Sequence, residues 1–65
     1  MNLINWYIKN HFLIGTMVNG EMYIGRIEDI VEEEDAYIVC TEHSCFRCLK
    51  KDQKKQVGVI QPIYR

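Results

Sequence analysis

Apolar residues change their spacing sharply near Phe12. In NLINWYIKNH the positions Leu3, Ile4, Tyr7 and Ile8 recur at helical intervals, and Trp6 widens the stripe. That spacing predicts a short amphipathic helix over residues 2–11, with Asn2 as its N-cap and His11 at the end where the helix dipole is negative. A helix so short does not hold together alone in water, so it needs a surface to lie on.

From Phe12 onward the pattern is that of strands. FLIGTMV and EMYIGRI flank Asn19 and Gly20, and the four parts predict a hairpin whose turn residues both accept positive φ. DAYIVC and SCFRCLK on either side of TEH predict a second hairpin. QVGVIQPIYR predicts a last strand, in which Pro62 must stand at an edge or a bulge. Gly25 interrupts the second of these strands, where glycine weakens a ladder; a strand shared by both halves of a small barrel must bend, and the glycine relieves crowding at that bend.

One helix and five short strands with closely spaced turns predict a mainly β fold: a short N-terminal helix on a strongly bent five-stranded antiparallel sheet, rolled into a small SH3-type barrel. No repeat or linker divides the chain, so residues 1–65 are read as a single domain. A domain of this length buries only about 60% of the surface its unfolded chain exposes, and such chains draw extra stability from disulfides, a metal or association with other copies.

Composition narrows the picture. The chain is 48% apolar and 26% charged, far from the signature of disorder. No apolar run approaches a membrane span and the N-terminus has no secretory pattern, so the expectation is a soluble, cytoplasmic protein with no membrane partner. The formal net charge is only −1, yet the charges are segregated: Glu28, Asp29, Glu32, Glu33, Glu34 and Asp35 form an acidic loop, and Arg47, Lys50, Lys51, Lys54 and Lys55 a basic one.

The order of helix, strand, Val18-Asn19-Gly20, a strand with central Gly25 followed by Ile27 and Glu28, and then Asp35, Tyr37 and Ile38 resembles the Sm-like family, closest in pattern to its bacterial Hfq branch. The match covers about the first two thirds of the chain. The resemblance implies a homo-oligomeric ring of six or seven copies, built by pairing edge strands, that binds single-stranded RNA as a chaperone or post-transcriptional regulator. It also implies site residues: Tyr37 as a stacking platform, and Lys50, Lys51, Lys54, Lys55 and Gln56 as the phosphate-contacting loop. Asn19, Gly20 and Gly25 are then structural. The family's second motif, an Arg-Gly or Lys-His pair, has Lys55 and Gln56 as its nearest counterparts here. The EEED run places carboxylates where phosphates would sit, so it either points away, or pairs with a neighbouring subunit's basic loop and leaves an oligomeric protein-interaction module without nucleic acid.

Cys40, His43, Cys45 and Cys48 form a C-x2-H-x-C-x2-C string that could supply zinc ligands. On one hairpin, however, Cys45 and Cys48 point to opposite faces, because side chains alternate along a strand. Free thiols packed as small apolar groups are the favoured reading for an intracellular chain, with zinc and a Cys40–Cys45 disulfide across the hairpin as the alternatives. No cofactor is expected. No nucleophile–base order, phosphate-binding glycine loop or paired carboxylates mark an enzyme.

Overall fold

The helix expected over residues 2–11 does not form. In the computed structural model, which describes residues 2–54, the segment runs extended as β1 (Leu3–Lys9), and Asn2 bridges to Arg47 rather than capping a helix. Ile4, Trp6, Tyr7 and Ile8 are β-branched or aromatic, types that gain most from a pleated, half-buried surface. Extension also carries Leu3, Trp6 and Ile8 to the core. Trp6 is only 1% exposed, and burying an indole contributes roughly 4–6 kcal/mol by area, which outweighs helical propensity.

β1 turns into β2 (Phe12–Met17) through Asn10 and His11, both at positive φ, 51° and 69°. This is the geometry of a type I′ hairpin turn, so His11 is a turn residue and not a helix end. β2 then pairs antiparallel with β3 (Met22–Glu32), forming the hairpin expected around Asn19 and Gly20. In this turn Gly20 takes positive φ, at 93°, and Asn19 does not. Its N–H donates to the Met17 carbonyl at 2.8 Å, while Asn19 contributes its side chain, whose Oδ1 accepts from the Glu21 N–H at 3.0 Å.

β3 is an 11-residue strand that serves two neighbours in turn. Met22–Arg26 pair with β2, and Ile27–Glu32 pair with β4 (Ala36–Thr41). At the handover the Arg26 carbonyl accepts from the Glu42 N–H at 3.1 Å, and the Ile27 N–H donates to the His11 carbonyl at 2.9 Å. The register slips between Ile27 and Asp29, a bulge at Glu28 that lies just past Gly25. Gly25 has a different reason to be glycine: the Tyr23 ring and hydroxyl lie where its Cβ would be. The strand also continues through Glu28–Glu32, which the sequence pattern assigns to the acidic loop. Ile30 and Val31 extend the ladder, leaving residues 33–35 as the connection.

β4 and β5 (Cys45–Leu49) form the second expected hairpin, followed by a 3-10 turn over Lys50–Asp52. The last expected strand, QVGVIQPIYR, lies outside the described residues. The sheet has five strands in the order β1-β2-β3-β4-β5, with the segment read as helix among them. It rolls up until its ends meet: Asn2 bridges Arg47, Trp6 bridges Gln53, the Trp6 indole N–H donates to the Leu49 carbonyl at 2.8 Å, and the Lys54 N–H donates to the Trp6 carbonyl at 2.7 Å. Leu3, Trp6, Leu13, Val39, Phe46 and Cys48 fill the interior.

Gly15 lies opposite Trp6, and a Cβ there would stand 2.6 Å from the Asn5 carbonyl oxygen and 2.7 Å from Leu3 Cδ1. Backbone in a paired strand yields little. Gly15→Ala is expected to destabilise the fold by about 1–3 kcal/mol, read as a lower urea midpoint with an unchanged m value.

Candidate functional site

Tyr37 sits in β4 on the inner side of the sheet, half-buried against the core. Its ring meets Trp6 edge-on, with centroids 5.8 Å apart, and the Lys50 ammonium stands 5.1 Å from its centroid. The acidic connection and the basic block meet within the same chain. Lys50 Nζ donates to Glu32 Oε2 at 2.7 Å, and Arg47 reaches Asp35 at 3.2 Å and Glu33 at 3.9 Å. The Glu32 hydrogen bond holds the Lys50 ammonium above its ordinary pKa. Exposed pairs of this kind add little to stability, but they decide where free charge remains.

Beside them an open groove of about 550 Å³ is lined by Glu34, Asp35, Arg47, Leu49, Lys50 and Lys51. Its rim is of mixed sign, which disfavours a polyanion. Lys51 and Lys54 are exposed and make no ion pair among the described residues. Lys55 and Gln56 lie outside the described residues. The structure therefore brings Tyr37 and Lys50 together, with Lys51 on the groove and Lys54 beside Trp6 on the far side of the 3-10 turn.

The cysteine string divides between two sides of the sheet. Cys40 and Cys45, directly paired across the β4–β5 hairpin with Cα atoms 3.9 Å apart, form a disulfide, so the free-thiol reading fails for these two. The pairing register accounts for this: Thr41 N–H donates to the Ser44 carbonyl at 2.8 Å, which makes the next pair inward a non-hydrogen-bonded one with its side chains close together. Cys48 is a free, fully buried thiol on the other side, and burial pushes its pKa up to about 11. Among the described residues, no cluster of His, Cys, Asp and Glu has the geometry of a metal site.

His43 belongs to a hydrogen-bonded brace. Its Nδ1 lies 2.9 Å from the Tyr23 hydroxyl, which lies 2.6 Å from Thr41 Oγ1. Thr41 Oγ1 donates to the Ser44 carbonyl at 3.1 Å and accepts the His43 N–H at 3.1 Å. A buried hydroxyl is thus fully used in fastening the hairpin turn to β3.

An open apolar surface lies elsewhere. On the outer face of β1, β2 and the first half of β3, the cross-strand rows are Asn5–Thr16–Met22, Tyr7–Ile14–Ile24 and Lys9–Phe12–Arg26. Met22 is 70% exposed, Ile24 52% and Phe12 37%. No carboxylate occupies any of these positions, although the whole chain is net negative. Sequence reasoning missed this face because it took Leu3–Lys9 for a helix. The signal was the alternation of Asn5, Tyr7 and Lys9 with Trp6 and Ile8.

No family model, curated protein or solved structure matches the chain. No helix among the described residues is long and apolar enough to cross a membrane.

The disulfide closes a short loop, with a sequence separation of 5, so Cys40→Ser/Cys45→Ser is expected to cost about 2 kcal/mol of stability by denaturant titration. Cys48 gives a pH signature. Its folded pKa is raised above the unfolded value of 9.0, so the folded state keeps a proton that the unfolded state gives up. Stability should fall as pH rises from about 9 to about 11, by more in the native chain than in Cys48→Ala, and the thiol should resist alkylation until the chain unfolds.

Proposed function

We propose that the protein is a small β-barrel module that binds single-stranded RNA on the outer face of β1, β2 and the first half of β3. The observation that carries this reading is the carboxylate-free grid there, with aromatic Tyr7 and Phe12 diagonal to each other across two strands and with Lys9 and Arg26 flanking Phe12 in one row. Aromatic rings on a sheet face stack bases at about 1–3 kcal/mol each with little sequence preference, and neighbouring cations hold the phosphates between them. The Tyr37 side is less suited to this role, because Lys50 and Arg47 already face carboxylates of their own chain. If copies associate into the ring that the Sm-like resemblance implies, the faces would be arrayed and weak single contacts would add up.

A second reading, an oligomeric protein-interaction module of the same fold without nucleic acid, is favoured by the aliphatic centre of the grid, Ile14, Ile24 and Met22. Another copy would cover such a centre as readily as bases would.

Titration of a labelled oligouridylate at several salt concentrations separates the two. Under the RNA reading, Lys9 and Arg26 together give a slope of log affinity against log salt near −1.4, and Lys9→Gln reduces its magnitude by about 0.7. Phe12→Ala should weaken binding by about tenfold or more. Absence of binding, with a concentration-dependent rise in mass on sedimentation that Ile24→Lys abolishes, would favour the assembly reading instead.

A further inference from the structure

Among the described residues, the second half of β3 has one side open. Glu33 N–H donates to the Ala36 carbonyl at 2.8 Å, and alternation then turns the N–H and C=O of Val31 and Asp29 toward β4 and those of Ile30 and Glu32 away from it. β2 has left β3 by this point, since its pairing ends at Arg26. Among the described residues no strand meets the outward groups of Ile30 and Glu32.

The side chains tell the same story. Ile30 lies opposite Val39, which lies opposite Phe46, so the three form one row on the inner face. Val39 and Phe46 are 0% and 2% exposed, whereas Ile30 is 43% exposed. Among the described residues, the core row is therefore uncovered at one end. Val31, on the outer face beside Ile38, is 53% exposed. A strand added along this edge would satisfy the backbone groups of Ile30 and Glu32 and set a side chain beside Ile30.

Charge selects the occupant. Glu28 and Asp29 are exposed and make no ion pair among the described residues, while Glu32 is held by Lys50. A second copy pairing antiparallel about Ile30 would set Glu28 against Glu32, a like-charge opposition that disfavours self-association here. We infer that the Ile30–Glu32 edge of β3 accepts an extended basic peptide segment as an added strand. This site is separate from the proposed RNA face. Read antiparallel, the matching segment has two aliphatic residues, opposite Val31 and Ile30, followed by two basic ones, opposite Asp29 and Glu28.

The test is fluorescence anisotropy of the full chain with a labelled peptide whose centre reads Thr-Val-Ile-Lys-Lys, combined with hydrogen exchange. Saturable binding is expected, with the Ile30 and Glu32 amides slowed by about tenfold or more while those of Asp29 and Val31, already paired with β4, change little. Ile30→Lys and Asp29→Lys should each weaken it. N-methylation of the peptide backbone at the facing positions should abolish it without touching the protein. Equal binding of a peptide with glutamates in place of the lysines, protection at other amides, or no binding at all would overturn the inference. So would protection of Ile30 and Glu32 that grows with protein concentration alone, which would mark the edge as a contact between copies.

Discussion

Everything in this small fold depends on where Trp6 goes. Its indole is buried at the centre, its ring N–H is used by the Leu49 carbonyl, and its own carbonyl takes the N–H of Lys54. One residue of β1 thus holds the end of β5 and the chain beyond the 3-10 turn, and converts an open meander into a sheet whose two ends touch. The same commitment fixes the alternation along β1. Once Trp6 faces inward, Tyr7 and Lys9 must face outward, and the grid shared with β2 and β3 follows.

Charge is arranged by the same closure. The turn after β5 brings Lys50 within reach of Glu32, and Arg47 on β5 meets the carboxylates of the β3–β4 connection. The acidic and basic blocks, far apart in sequence, meet at one end of the sheet, where Glu32, Glu33 and Asp35 face Lys50 and Arg47. Among the described charges left unpaired are Lys9 and Arg26 on the outer face of one half of β3, and Glu28 and Asp29 at the joint of the other. Two surfaces of opposite character therefore sit on successive halves of β3, separated by the bulge at Glu28.

Much of the topology from Phe12 to Leu49 was legible in the sequence, because Asn19-Gly20 and the short TEH segment punctuate runs rich in β-branched and aromatic residues. The N-terminal strand was not legible. Leu3, Ile4, Tyr7 and Ile8 fit a helical stripe, and only the tertiary burial of Trp6 decides against it. The turn at Asn10 and His11 carries no glycine, so its left-handed backbone leaves a weak trace. The β3 extension was hidden by its acids, since Glu28, Asp29 and Glu32 read as loop composition although Ile30 and Val31 keep the ladder going. As for the candidate site, Tyr37 and Lys50 do meet, but their partners Glu32 and Trp6 come from distant segments that spacing alone does not connect. The disulfide needed a register, which cross-strand pairing supplies and composition does not.

Three cysteines allow three alternative pairings, and the chain realises one. Cys45 and Cys48 are an odd number of residues apart on a single strand, so the sheet itself lies between the disulfide and the remaining thiol. Attack by Cys48 on the neighbouring bridge would require β5 to leave the sheet and turn over. Side-chain parity on a strand thus works as a sorting rule for sulfur chemistry: the fold keeps its bridge from scrambling by placing the spare nucleophile on the wrong side of the backbone.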